Sequence, residues 1–106
     1  TYNSEMKKYR VAVSKNAQND LNNLTNFIAF ELKSPITSLR YANGIIDEMK
    51  KLRFHANSIS ISTHSFVLRY GKFARHVSYK KHTIIYTIQG ENVIIERIIA
   101  SALISE

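Results

Sequence analysis

The densest run of β-branched residues in the chain, TIIYTIQGENVIIERII, constrains the fold more than any other segment. It divides at a short polar break around Gly90 into two apolar stretches, Thr83–Ile88 and Val93–Ile99. Two β-branched and aromatic stretches separated by a glycine-containing break are typical of an antiparallel β-hairpin. The second stretch is apolar on both sides except at Glu96 and Arg97, which predicts a central strand covered on both faces. We interpret Glu96 and Arg97 as a solvated pair or as salt-bridge partners of neighbouring elements.

Other short segments also have the composition of strands. Tyr9–Val13 lies near the start of the chain, and Phe66–Tyr70 and Ala74–Tyr79 lie ahead of the hairpin. Because the last four segments follow one another closely, we predict sequential hairpins in an antiparallel meander. The stretch of residues 53–65 is loop-like, although Ile59 and Ile61 alternate with serines and could pair as an edge strand.

Two amphipathic helices are predicted between the first strand and this meander. Ser14 or Asn16 caps the first helix, and Ser34-Pro35 ends it and starts the second, with proline at the first helical position. The apolar residues recur at helical spacing, first at Ala17, Leu21, Leu24, Ile28 and Leu32 and then at Leu39, Ala42, Ile45, Ile46, Met49 and Leu52. So short a link favours an antiparallel αα-hairpin, packed on one face of the sheet with the other face open. The predicted fold is therefore α+β, in the order β-α-α-β-β-β-β.

The length of 106 residues predicts a single domain, residues 1–106. The chain has no cysteine and its first ten residues are polar and charged, so we expect a cytoplasmic protein without disulfides. Its longest apolar stretch is too short to span a bilayer, and no membrane partner is expected. Met6 reads as a natural start, which predicts that residues 1–6 form a disordered or non-native N-terminus.

A net charge of +7 and a pI near 9.8 favour an anionic partner. One long basic segment runs from Arg69 to His82, with five lysines and arginines and no acidic residue. Strand alternation places Arg75 opposite to His76 and Lys80, which we assign to the open face. The alternative is a hairpin corner whose lysines are merely solvated. The candidate residues for binding a target or nucleic acid are Arg69, Lys72, Arg75, His76, Lys80, Lys81 and His82.

Several other polar and aromatic residues are not assigned a function. Tyr79 and Tyr86 are interpreted as aromatics at the edge of the core rather than as base-stacking platforms, and His55 and His64 lie in loop sequence. No histidine pair has metal-ligand spacing with a third ligand nearby, so no metal is expected. The three glycines are too widely spaced to form a phosphate-binding loop. We therefore expect no cofactor.

The order and spacing of these segments resemble the RelE/ParE superfamily of bacterial toxins from type II toxin–antitoxin modules. The resemblance covers nearly the whole chain and depends on an opening motif, strand–Ser–x–x–Ala–x–x–Asp–Leu at Ser14, Ala17, Asp20 and Leu21, and on the IIYTI stem. It implies a toxin that cuts messenger RNA on the ribosome, as RelE-like members do, or poisons DNA gyrase, as ParE-like members do. It also implies neutralisation by a cognate antitoxin, in a hetero-oligomer.

The residues that RelE-like nucleases use are largely missing from this chain. Metal-free cleavage of RNA needs a base, cations for the developing phosphorane charge and a proton donor for the leaving oxygen. The family's arginine ahead of the stem falls at Thr83 here, and Ala100–Ile104, after the last strand, has no ionisable side chain. The remaining catalytic candidates are His76, Lys80 and Lys81, with support from Arg75.

Three hypotheses follow for the function of the chain. The preferred one is a toxin that acts by binding gyrase or another nucleic-acid-handling target. The second is a ribosome-dependent endoribonuclease acting on messenger RNA, and the third is a small basic module that binds nucleic acid without toxicity. An acidic antitoxin segment would be attracted to the basic surface under either toxin hypothesis.

Overall fold

The computed structural model describes residues 8–104, so the prediction for residues 1–6 lies outside the described residues. The helices are α1 (Lys15–Glu31), α2 (Pro35–His55) and the single turn α3 (Ser65–Leu68), and the strands are β1 (Arg10–Val13), β2 (Arg75–Tyr79), β3 (His82–Gln89) and β4 (Asn92–Ala100). Short 3-10 turns follow α2 at Ala56–Ser58 and β4 at Ser101–Leu103. The predicted α+β class is confirmed. No helix within residues 8–104 is long and apolar enough to cross a membrane.

The strands form one sheet in the order β1-β4-β3-β2, which confirms the central position predicted for β4. β3 and β4 pair antiparallel, with a β-bulge between Ile85 and Tyr86. β1 pairs parallel to β4, aligning Arg10 with Asn92, so the predicted all-antiparallel sheet is wrong at this pair and the sheet is mixed. The elements between β1 and β4 supply the long connection that a parallel pair requires.

Serine caps determine where both long helices begin. The Ser14 side chain accepts a hydrogen bond from the backbone N–H three residues on at 3.0 Å, so Ser14 rather than Asn16 is the cap of α1. Ser34 does the same for α2 at 3.3 Å, and Pro35 occupies the first helical position. These caps satisfy N–H groups that the first turn of a helix otherwise leaves free. The predicted αα-hairpin is confirmed, because α1 and α2 pack against each other.

The αα-hairpin covers one face of the sheet and forms the main core with it. Ile45 and Leu52 of α2 are fully buried with Ile84 and Tyr86 of β3. The Tyr86 hydroxyl donates to the Ala56 carbonyl at 2.8 Å, and burial raises the pKa of Tyr86 to about 12. Tyr86 is therefore a core residue that also fixes the turn at the end of α2.

The opposite face of the sheet is not open, which corrects the prediction. Phe66–Tyr70 is not a strand: its first residues belong to α3, and Val67 packs with Ala74, Ile85 and Ile99 in a second, smaller core. The strand-like composition of this segment is overridden because a single helical turn places Val67 on the sheet. Ile61 does pair at the sheet edge, through one antiparallel bridge to β2.

The motif at Ser14, Ala17, Asp20 and Leu21, on which the family resemblance depends, connects α1 to β4 through hydrogen bonds and packing. Ser14 Oγ donates to the Glu96 carbonyl at 3.0 Å, and Ala17 is completely buried at the contact. The Asp20 carboxylate accepts hydrogen bonds from Arg97 Nε at 2.7 Å, from Arg97 Nη2 at 2.9 Å and from the Ile98 N–H at 2.9 Å. Arg97 is thus a salt-bridge partner of a neighbouring element, and the motif is structural.

Candidate functional site

The corner between β2 and β3 is built from Lys80 and Lys81. Lys80 has a φ of +50°, in the left-handed region, which ends the alternation of side chains along β2. Its ammonium lies 5.5 Å from the ring centroid of Tyr79, a residue that packs against the main core under the αα-hairpin. The prediction that Lys80 shares an open face with His76 is therefore wrong, since the turn redirects the lysine toward the helices.

Tyr41 of α2 holds this corner in place. Its hydroxyl accepts from the Lys81 N–H at 3.3 Å and lies 2.7 Å from Nδ1 of His82. Its ring packs edge-on against Tyr79, with centroids 5.2 Å apart, and Tyr79 in turn lies against Gly44, where a side chain would collide with it. Burial lowers the pKa of His82. A neutral imidazole that accepts from Tyr41 and carries its proton on Nε2 fits this arrangement.

A groove of about 880 Å³, called here the corner groove, lies between α1 and this corner. Leu24, Phe27 and Ile98 supply apolar surface, and Lys80 and Lys81 supply positive charge. His82 and Asp20 also line it, but the Asp20 carboxylate is held by Arg97 and the Ile98 N–H. Apolar walls edged by cations suit an apolar segment with acidic residues near it.

The other predicted site residues lie outside the corner groove. His76 packs edge-on against His64, with ring centroids 5.9 Å apart, and burial, with a smaller contribution from the charge of His64, lowers the pKa of His76. The Arg75 guanidinium donates to the Ile59 carbonyl at 2.6 Å and the Asn57 carbonyl at 3.1 Å, which stabilises the loop after α2. Arg75 and His76 thus point to opposite faces, as predicted.

Arg69 and Lys72 are exposed near α3, each next to an aromatic ring. The guanidinium carbon of Arg69 lies 4.3 Å from the Phe66 ring centroid, and Lys72 Nζ lies 5.4 Å from that of Phe73. Neither lines the corner groove. Of the seven predicted binding residues, the fold brings together only Lys80, Lys81 and His82.

At the corner groove, the two positions where the family resemblance expects catalytic side chains carry none. Thr83 is buried and its hydroxyl bonds to that of Ser101 at 2.8 Å. The described residues after β4, Ser101–Ile104, carry no ionisable side chain. Within residues 8–104, no three histidine or carboxylate side chains are placed to hold a metal ion. The arrangement is suited to binding, because its one imidazole is engaged by Tyr41 and its one carboxylate by Arg97.

An apolar surface at the linked ends of α1 and α2 is not predicted by the sequence. Leu32 and Leu39 are expected to face the sheet, but they are 59% and 63% exposed, so the prediction is wrong for these two residues. With their exposed neighbours they form what we call the hairpin-tip patch, which comprises Phe27, Phe30, Leu32, Ile36 and Leu39. Phe27 and Phe30 fall off the apolar stripe of α1, and this is the sequence signal for the patch. Large exposed apolar side chains gathered at one end of a helical hairpin are typical of a surface that another molecule covers.

Comparisons with known proteins agree with this architecture. The family model described as "ParE toxin of type II toxin-antitoxin system, parDE" matches residues 11–102. Among solved structures, the chromosomal ParDE toxin–antitoxin system from P. aeruginosa aligns with a TM-score of 0.72, covering 88% of this chain and 96% of that chain at 18% identity. At this identity the likeness concerns the fold. A search of curated proteins finds no match.

Proposed function

Since the chain belongs to the ParE toxin family of type II toxin–antitoxin systems, we propose that it inhibits growth by binding DNA gyrase and that a cognate antitoxin neutralises it. The observation that carries the proposal is the corner groove, whose apolar walls and two exposed lysines are suited to binding, while its histidine is engaged by Tyr41 and its carboxylate by Arg97. A toxin of this kind needs complementarity to its target rather than a positioned acid and base.

The target contact is assigned to Lys80 and Lys81 with the apolar wall behind them. Both lysines are exposed, and the Lys81 N–H donates to the Tyr41 hydroxyl, so the backbone of the corner that carries them is supported by α2. A backbone that is already held in place loses less conformational freedom on binding than a mobile one does. The acidic surface of a nucleic-acid-handling enzyme is the complementary partner for such a corner.

The antitoxin is proposed to cover the hairpin-tip patch. The patch adjoins the corner groove through Phe27, and the cations Lys33 and Arg40 are exposed beside it. An antitoxin segment with apolar residues and an acidic flank would match both the patch and these cations. Its coverage of Phe27 would also obstruct the corner groove, which supplies a physical route to neutralisation.

Inducible expression in bacteria, with and without the adjacent small reading frame, tests the proposed activity. Growth, DNA supercoiling and messenger RNA integrity are followed in parallel. Growth arrest with altered supercoiling and intact messenger RNA is the expected result, and co-expression of the neighbour should restore growth. Ribosome-dependent cleavage of messenger RNA, abolished by Lys80→Ala, would contradict the proposal and favour the endoribonuclease.

A pair of charge-matched variants locates the active surface. Lys80→Glu/Lys81→Glu should abolish growth arrest, whereas Arg69→Glu/Lys72→Glu, which changes the net charge equally outside the corner groove, should retain it. For the antitoxin, Phe30→Ser/Leu39→Ser should lose the co-purifying partner, while Phe73→Ser, at an exposed aromatic away from the patch, should keep it. Equal effects within either pair would contradict the assignment of the surface concerned.

A further inference from the structure

A second groove, of about 800 Å³, lies at the end of the sheet opposite to the corner groove; we call it the basic groove. Lys8 and Arg10, at the start of β1, and Lys50 and Arg53, at the end of α2, all line it. The two pairs are some forty residues apart in sequence, so only the fold brings them together. The basic groove holds more cationic side chains than the corner groove does.

Backbone hydrogen bonds fix the two cationic pairs side by side. The Tyr9 N–H donates to the Arg53 carbonyl at 2.8 Å, which ties the start of β1 to the last turn of α2. Lys50 and Arg53 are three positions apart on a helix and share one side, as Lys8 and Arg10 do in extended backbone. All four side chains are exposed, and among the described residues none of them forms a salt bridge.

Ordinary structural roles account for only part of this cluster. Cations in the last turn of a helix interact favourably with its macrodipole, which explains Lys50 and Arg53. The macrodipole does not explain Lys8 and Arg10, which come from the strand and face the same groove. Concentrated like charge is repulsive, so the convergence of four cations with a single carboxylate, Glu91, in the same lining indicates an anionic ligand.

The aromatic lining distinguishes a nucleic acid from an acidic protein segment. Phe54 lines the basic groove and is 40% exposed, and the Arg53 guanidinium carbon lies 5.5 Å from its ring centroid. Channels for nucleic acid combine cations that follow the backbone with aromatic rings on which bases stack. Arginine also matches the geometry of phosphate oxygens. The one carboxylate of the lining, Glu91, would oppose an acidic peptide as much as a phosphate, so the exposed ring decides between them.

We propose that the basic groove binds the phosphate backbone of a nucleic acid, with Lys8, Arg10, Lys50 and Arg53 contacting phosphates and Phe54 offering a stacking surface. This site is separate from the corner groove and does not depend on the proposed gyrase target. It gives the chain an affinity for nucleic acid of its own, in addition to contacts made through a protein partner.

Fluorescence anisotropy with the purified full chain tests this site directly. The probes are a labelled 20-mer duplex DNA and a labelled single-stranded RNA of the same length, each titrated over a range of salt concentrations. The variant is Lys50→Gln/Arg53→Gln, and the control is Arg69→Gln/Lys72→Gln, which removes the same charge elsewhere. Thermal unfolding establishes that both variants are folded, and Phe54→Leu tests the stacking surface.

The proposal predicts salt-dependent binding of at least one probe, and whichever probe binds more tightly identifies the source of the phosphates. Lys50→Gln/Arg53→Gln should weaken binding about tenfold and reduce the slope of log K against log salt by about 2, while the control changes little. Binding of neither probe, equal weakening by both variants, or equally effective competition by poly-glutamate would overturn the proposal. If Lys50→Gln/Arg53→Gln fails to fold, Lys8→Gln/Arg10→Gln takes its place, and the same outcomes support or overturn the proposal.

Discussion

The two grooves at opposite ends of the sheet differ in what lines them. They are separated by the length of β4, roughly 30 Å at about 3.3 Å per residue. The corner groove combines apolar side chains from α1 and β4 with two lysines. The basic groove combines Arg10 of β1 and Lys8 just ahead of it with two cations from α2 and an exposed phenylalanine. The first is suited to a protein segment and the second to a phosphate backbone.

This difference shows that a run of cations in a sequence does not by itself indicate which side chains share a surface. Of the cations between Arg69 and His82, Arg75 is used to hold the loop after α2, and Arg69 and Lys72 lie beside aromatic rings away from the groove. Only Lys80 and Lys81 reach the corner groove. The larger convergence of cations comes from two short basic segments, KKYR and KKLR, which lie some forty residues apart in sequence and are brought together by the fold.

Charge reversal at each groove gives the largest expected effect. It also tests whether the two grooves have different functions. Lys50→Glu/Arg53→Glu should lower nucleic-acid affinity about a hundredfold at low salt, because two attractive contacts become repulsive. Lys80→Glu/Lys81→Glu should abolish growth arrest. Anisotropy and growth curves measured on both variants check this. A single variant that removes both properties would show that one surface serves both.

Asp20→Asn should cost about 2 kcal/mol of unfolding free energy, since it leaves a partly buried Arg97 without its charge partner. The carboxylate is 14% exposed and receives hydrogen bonds from Arg97 Nε and from the Ile98 N–H. Chemical denaturation measures the loss. The substitution lies in the corner groove, so nucleic-acid binding by the folded variant should be unchanged. A change in nucleic-acid affinity would show that the two grooves influence each other.

Gly44→Ala should cost about 1–3 kcal/mol, because the added methyl group collides with the ring of Tyr79 and forces it to move. Tyr79 lies beneath the corner, so its displacement should shift the NMR resonances of Lys80 and Lys81. Resonances of the basic groove should stay in place. Ala42→Gly, on the same helix, serves as a control for the helix propensity of the backbone.

Tyr41→Phe should cost about 1 kcal/mol, since it removes the hydroxyl that joins the Lys81 N–H to His82. Growth arrest should weaken, because the lysines lose their fixed support while their charge remains. Thermal unfolding and growth measurements on the same variant separate the two effects. Unchanged toxicity would show that the corner does not need to be rigid.

The smallest predicted effect is a loss of stability below neutral pH. Burial lowers the pKa values of His76 and His82 in the folded chain, so the unfolded chain binds protons more readily near the ordinary value of 6.5. Stability is therefore complete above pH 6.5 and falls as the pH drops through and below it. Urea unfolding from pH 5 to 8 checks the direction. His82→Gln should reduce the pH dependence, with the remainder due to His76, and an unchanged dependence would contradict the assignment to His82.

The local parts of the fold are predictable from the sequence and the long-range parts are not. The serine caps and the β3–β4 hairpin depend on neighbouring residues, and both are predicted. The parallel pairing of β1 with β4 joins segments about eighty residues apart, and no local pattern reports it. The strand predicted at Phe66–Tyr70 fails because packing of Val67 on the sheet outweighs β propensity.

In the candidate site, too, the local features are predictable from the sequence and the long-range contacts are not. The corner of Lys80, Lys81 and His82 is predicted because it lies within one short segment. Its grouping with His76 fails because the left-handed backbone at Lys80 ends strand alternation, which residue identity alone does not reveal. The support by Tyr41 and the basic groove both depend on contacts between distant segments.

The central claim, that this toxin acts by binding through the corner groove, is tested most directly with purified gyrase. Supercoiling of relaxed plasmid is measured at increasing concentrations of the chain and of its Lys80→Glu/Lys81→Glu variant, alongside a ribosome-dependent messenger RNA cleavage assay. The predicted result is inhibition of gyrase by the wild-type chain, loss of inhibition in the variant and intact messenger RNA with both. Unaffected gyrase together with cleaved messenger RNA would contradict the claim.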